Sequence, residues 1–193
     1  MQILGWQDRA VRDALRHIKQ HKPFSYGLTN YIAANLSANV LLAVGAGPAI
    51  GAALDWQTAF GRHANALWIN AACLMSNSPH EVRQAALAAH AARVPWVPDP
   101  VAVGAGAAEY DRVVQGLLDF KPTAIRGNAS ELIALAGGNG GGKGVETTLT
   151  SQDALPFIEA FSRSQNTLTA VSGPIDFITD GQKTLAVEGG DIR

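Results

Sequence analysis

A chain of 193 residues, 47% apolar and 16% charged, is long enough for one well-buried core and short for two. Its formal net charge of −1 speaks against a nucleic-acid binder, which would carry a basic patch. The single cysteine, Cys73, excludes an internal disulfide and a Cys-based zinc site, and the five histidines (His17, His21, His63, His80, His90) lack tight metal-ligand spacing.

The first residues show no positive region followed by an apolar core, so no signal peptide is expected. Residues 6–22 place Val11, Leu15 and Ile18 at i, i+4, i+7 with Arg and Lys largely opposite, an amphipathic helix ended by Pro23. Residues 24–28 read as a short strand, which Thr29-Asn30 ends while capping the next helix. The uncharged run 31–54 has the length of a membrane span. It contains Asn35, Asn39, Gly45, Gly47 and Pro48, and is read instead as a buried helix over 31–44, a glycine stop and a strand at 48–50. Residues 56–63 form a weak helix, and 66–72 a strand apolar enough to be covered on both faces. Ser78-Pro79-His80-Glu81 starts a helix that runs to about Arg93: a capping Ser, Pro at the first position, Glu three residues after the cap.

Residues 94–98 form a strand that delivers Asp99, and 109–120 a helix with Val113, Val114, Leu117 and Leu118 inward. The next strand, 123–125, is broken by Arg126-Gly127-Asn128, after which 129–135 is helical. The glycine-rich 137–144 reads as a flexible loop, because Lys143 is followed by Gly144 and the phosphate-loop spacing is absent. Residues 152–164 suggest a helix interrupted or kinked near Pro156, 167–171 a strand, and 177–179 with 184–187 a hairpin around Asp180-Gly181. This alternation predicts one α/β domain over 1–193, a mostly parallel sheet with helices on both faces.

Three side chains sit where ligands bind in such folds, at strand ends and strand-to-helix junctions. Asp99 can hold a hydrated magnesium ion or simply close a turn. Glu131 can serve magnesium or water, or be a charge favoured at a helix N-terminus. Arg126 can meet phosphate or lie on the surface. Cys73 has no neighbours that would activate it, and His63, His80 and His90 read as surface or helix-end residues.

In order, these segments resemble the hydroxyethylthiazole kinase family of the ribokinase-like superfamily. Thr29-Asn30-Tyr31 with Asn35 and Ala38-Asn39 is similar to its T-N-Y start, and Gly45-Ala46-Gly47-Pro48 to its G-A-S-P. Asp99-Pro100-Val101 through Gly104-Ala105 resembles D-P-V-G-V-G-A. Arg126-Gly127-Asn128-Ala129-Ser130-Glu131 matches R-G-N-x-S-E, continued by Gly142-Lys143-Gly144-Val145. The resemblance implies ATP- and Mg²⁺-dependent phosphorylation of the hydroxyl of 4-methyl-5-(2-hydroxyethyl)thiazole in thiamine salvage. It implies a cytoplasmic homotrimer with sites at subunit interfaces and no nucleic-acid or membrane partner. It assigns Asn30 and Ile50 to the thiazole, with Ile50 standing at a family methionine. It assigns Asp99 and Glu131 to catalysis through magnesium and its water, and Arg126, Asn128 and Ser172 to ATP.

Several positions depart from the pattern. After the hairpin the family continues into V-T-G-T-G-[CD], an anion hole with a proton acceptor, whereas this sequence stops at Arg193, so a domain shortened at its C-terminus is expected. Ala71-Ala72-Cys73 replaces a Gly-Thr type segment, Ala102 a glycine, Gly106 a threonine, and Tyr26-Gly27 a His-Cys, while Glu109 stands near a usual arginine. These changes leave two alternatives: a non-catalytic ligand-binding or scaffold relative, and, through Ile50, a kinase for another small alcohol.

Overall fold

Strands and helices alternate through the computed structural model of the chain, which describes residues 2–5, 7–138 and 149–188. The elements are β1 (Gln2–Leu4), α1 (Arg9–His21), β2 (Phe24–Leu28), α2 (Tyr31–Val44), β3 (Gly47–Ile50), α3 (Trp56–His63), β4 (Ala66–Asn70), α4 (Pro79–Ala92) and β5 (Trp96–Asp99). They continue with α5 (Ala108–Gln115), β6 (Ala124–Asn128), α6 (Ala129–Leu135), α7 (Ser151–Gln165), β7 (Leu168–Ser172), β8 (Ile175–Thr179) and β9 (Thr184–Glu188). The α/β class and the parallel bias hold: among the described residues five strand pairings are parallel and two antiparallel. Among the described residues, hydrogen bonding groups the strands as five and four. The chain forms two compact units, Gln7–Asp99 and Met1–Trp6 with Pro100–Arg193.

In the first unit the strand order is β3-β2-β4-β5, all parallel. Tyr26 and Leu28 of β2, Leu67 and Ile69 of β4 and Trp96 of β5 are fully buried. Phe60 of α3 packs edge-on against both Phe24 and Tyr26, at 5.2 and 5.5 Å between ring centroids. Gly61 lets α3 and α4 touch, since a Cβ there would stand 2.9 Å from that of Ala88. The Ser78 hydroxyl and the Glu81 carboxylate cap α4 reciprocally, as the sequence indicates.

Helix α2 has the limits expected of it. The Asn30 Oδ1 accepts the Ala33 N–H at 2.8 Å, and Gly45 closes the helix at φ +99°. Its predicted burial is wrong: no residue of α2 is buried, and Tyr31, Ile32, Leu36, Val40 and Leu42 are exposed. Apolar composition reports what a surface avoids, not which element covers it. Beside β2, the edge strand β3 carries Pro48.

In the second unit the order is β1-β9-β8-β7-β6, with an antiparallel β8–β9 hairpin where the sequence placed one. Arg126-Gly127-Asn128 does not break the strand: β6 runs through all three, because their register with Ala170, Val171 and Ser172 of β7 keeps the backbone extended. Pro156 does not interrupt α7. Its absent N–H deprives only the carbonyl four residues earlier, that of exposed Gln152, which lies in the first turn. The strand expected over 66–72 stops at Asn70, and the helix expected over 109–120 stops at Gln115; each continues as a 3₁₀ segment. A line of hydroxyls ties α7 to the hairpin. Ser162 Oγ lies 3.4 Å from the Thr179 carbonyl oxygen, and Thr184 Oγ1 donates to Glu159 Oε1 of α7 at 2.7 Å.

Candidate functional site

Because β2, β3, β4 and β5 are parallel, their carboxyl ends lie along one edge of the sheet. That edge carries three expected site residues: Asn30 just after β2, Ile50 at the end of β3 and Asp99 at the end of β5. Asn30 and Ile50 belong to adjacent strands, with Gly27 opposite Ile50. Asp99, opposite Asn70, is two strand spacings from β2, about 10 Å. Asn30 spends its amide oxygen on the cap of α2, which leaves its amide nitrogen to offer a ligand. Asp99 is half-buried, with its Oδ1 enclosed.

Ile50 is held by a neighbour that sequence reasoning did not place in the site. The Tyr26 hydroxyl donates to the Gly51 carbonyl at 3.0 Å, and the Gly51 N–H donates to the Gly27 carbonyl at 2.9 Å. Burial pushes the Tyr26 hydroxyl far above the usual tyrosine range, so it stays protonated and remains a donor. Its one signal in the sequence is the Tyr that replaces a family His. The side-chain oxygen of Thr29, next to Asn30, is also buried.

In the second unit, β6 and β7 bring the expected ATP residues together. Asn128 is opposite Ser172, and the exposed Arg126 guanidinium donates to the Ser172 hydroxyl at 3.0 Å. Asn128 and Glu131 form a capping box on α6. The Asn128 Oδ1 accepts the Glu131 N–H at 3.0 Å, and the Glu131 Oε2 accepts the Asn128 N–H at 2.8 Å. The other oxygen of Glu131, Oε1, accepts the N–H of Ala102 at 3.0 Å.

That contact belongs to a tightly held turn. Ala102 is left-handed, φ +64°. The Tyr110 hydroxyl donates to the Val101 carbonyl at 2.6 Å, and the Gly104 N–H donates to Asp111 Oδ1 at 3.1 Å. Tyr110 and Asp111 follow no spacing rule that would have singled them out.

Among the described residues, no three His, Cys, Asp or Glu side chains converge to cage a metal ion. A phosphate-bound magnesium asks for less, one or two carboxylates with waters and phosphate oxygens, and Asp99 at a strand end suits that mode. Cys73 is fully buried and its thiol is pushed up to about 12, which removes it as a nucleophile. All five histidines are exposed. Most of the loop read at 137–144, Lys143 included, lies outside the described residues.

The sequence pattern of the hydroxyethylthiazole kinase family matches residues 15–192. A protein named hydroxyethylthiazole kinase in Burkholderia thailandensis is 60% identical over 193 residues, covering 100% of this chain and 74% of the relative. Its namesake in Leptospira interrogans is 42% identical over 186 residues, 96% of this chain and 70% of that one. The solved hydroxyethylthiazole kinase protein of Pyrococcus horikoshii superposes with a TM-score of 0.81 at 31% identity. That superposition covers 93% of this chain and 66% of the solved one. A Bacillus subtilis pyridoxal kinase, solved as an ADP complex, shares the fold at a TM-score of 0.62 and 14% identity, over 88% of this chain and 75% of its own. The match over nearly the whole chain, with the T-N-Y, D-P-V and R-G-N-x-S-E segments at strand ends, means that the chain belongs to the hydroxyethylthiazole kinase family.

Proposed function

We propose that this chain transfers the terminal phosphoryl group of ATP to the hydroxyl of 4-methyl-5-(2-hydroxyethyl)thiazole, a step of thiamine salvage. The observation that carries this reading is the placement of Asn30, Ile50 and Asp99 along one sheet edge, in a chain 60% identical to a relative of that name. Phosphoryl transfer is largely positioning and charge neutralisation, which such a set supplies. The Asn30 amide and the Ile50 side chain bind the thiazole. Arg126, steadied by Ser172, contacts an ATP phosphate, and Asn128 lies beside it in the same set. Asp99 organises Mg²⁺, which supplies neutralising charge when bound.

The whole chain acts as one ribokinase-like domain, a reading supported by its match to a single solved chain over 93% of its length. The exposed apolar face of α2 supports a homotrimer. A cytoplasmic location is part of the same reading. Among the described residues no helix is long and apolar enough to cross a membrane.

An ADP-release assay with Mg-ATP and the thiazole alcohol, run beside Asp99→Ala, tests the proposal. Release that depends on Asp99 supports it. No release, with thiazole binding retained in calorimetry, would favour a non-catalytic binding relative. Ile50 supports a second reading, a kinase for a different small alcohol, because a β-branched side chain shapes a pocket differently from methionine. A panel of alcohols in the same assay separates the two.

A further inference from the structure

We propose that Glu131 acts in this kinase as a positioning residue, locking the turn over residues 101–104 through the amide of Ala102. This role deepens the kinase reading and rests on it. The Glu131 side chain is only 5% exposed, and its two oxygens are each engaged by backbone: Oε2 by the Asn128 N–H at 2.8 Å and Oε1 by the Ala102 N–H at 3.0 Å. One carboxylate thus starts α6 and fixes a turn 29 residues earlier in the chain.

The turn needs fixing. Ala102 sits at φ +64°, where the Cβ of an L-residue crowds its own backbone, and Gly104 follows at φ +85°. Two further side chains each hold one of its polar atoms, Tyr110 the Val101 carbonyl and Asp111 the Gly104 N–H. Of the three pins, only Glu131 acts on the left-handed alanine itself. Gly127 makes room for the carboxylate, since a Cβ at that position would stand 3.2 Å from Oε2. The turn starts two residues after Asp99 in the chain, so its stiffness bears on the segment that leaves that carboxylate.

A residue that holds a turn can be replaced by a backbone that needs no holding, whereas a direct magnesium ligand cannot. The test compares the unaltered chain with Glu131→Gln, Ala102→Gly and the double variant. Its readouts are amide hydrogen exchange over residues 101–104, thermal unfolding and the Mg²⁺ dependence of turnover. Glu131→Gln should speed exchange at Ala102 at least about tenfold. Ala102→Gly alone should raise the unfolding temperature, because glycine adopts the left-handed turn without strain. The double variant should regain most of the protection at Val103 and Gly104 and most of the turnover, at an unchanged Mg²⁺ half-saturation. The role is overturned if exchange at Ala102 is unaffected by Glu131→Gln. It is equally overturned if Ala102→Gly lowers the unfolding temperature, or if the double variant stays as impaired as Glu131→Gln with a raised Mg²⁺ requirement. Exchange and unfolding need no catalysis, so a wild-type chain that fails to release ADP would defeat the kinase reading and leave these two results standing.

Discussion

The indole of Trp68 occupies the space above Gly27. The two residues are paired in register on β4 and β2, and a Cβ on residue 27 would stand 2.0 Å from the Trp68 ring. No rotamer adjustment absorbs an overlap with a ring held in a sheet. Gly27→Ala should therefore cost about 3 kcal/mol, at the upper end of overpacking penalties. Trp68→Leu in the same chain should recover part of that loss. Urea unfolding of the two single variants and the double variant measures the coupling.

Tyr26 reaches the loop after Ile50 through one hydrogen bond, to the Gly51 carbonyl. Tyr26→Phe removes the donor and keeps the edge-on contact with Phe60. A stability loss of about 1 kcal/mol is expected, with a raised KM for the alcohol and an unaltered KM for ATP. Equal shifts in both KM values would show that the bond does not act on the alcohol side.

Arg126 is exposed, and its guanidinium donates to the Ser172 hydroxyl. Arg126→Ala should weaken ATP binding about tenfold in calorimetry, the value of one charge-assisted contact, and leave the unfolding free energy within about 0.5 kcal/mol. An undiminished ATP affinity would take Arg126 out of the nucleotide site.

Alkaline stability should follow Cys73. Burial raises its thiol from 9.0 to about 12, so the folded chain retains a proton that the unfolded chain releases. Stability is then complete below the unfolded value and falls as pH rises between the two. Tyr26, raised in the same sense, adds to the loss at still higher pH. From about pH 8 to about pH 10.5 the parent should lose roughly 2 kcal/mol more than Cys73→Ala, read as the difference in urea midpoints. Parallel pH profiles would contradict this.

The apolar side chains of α2 should be covered by other copies of the chain. Leu36→Glu places a charge in the middle of that exposed row and should convert the assembly to monomers in light scattering, with an unchanged helical signal. An unaltered mass would locate the contact elsewhere.

What the sequence made legible was local chemistry. The Asn30 cap, the Gly45 stop and the Ser78–Glu81 box all fell on the residues expected, because each needs only neighbours within four positions. The extension of β6 through Arg126–Asn128 was hidden, since β7 dictates it across a long stretch of chain. The pins Tyr26–Gly51, Tyr110–Val101 and Glu131–Ala102 were hidden for the same reason: no periodicity links their partners. Among the site residues, the motifs named Glu131 and Arg126. Only coordinates could show that Glu131 spends its carboxylate on backbone amides and that Arg126 leans on Ser172.

Pro48 on the edge strand β3 has a consequence for how this side of the unit can meet another molecule. A proline offers no N–H to an incoming strand, and a four-residue strand gives it little length to grip, so growth of the sheet from one molecule into the next is discouraged. Any contact between copies of the chain on this side then rests on side chains such as those α2 exposes, not on backbone pairing.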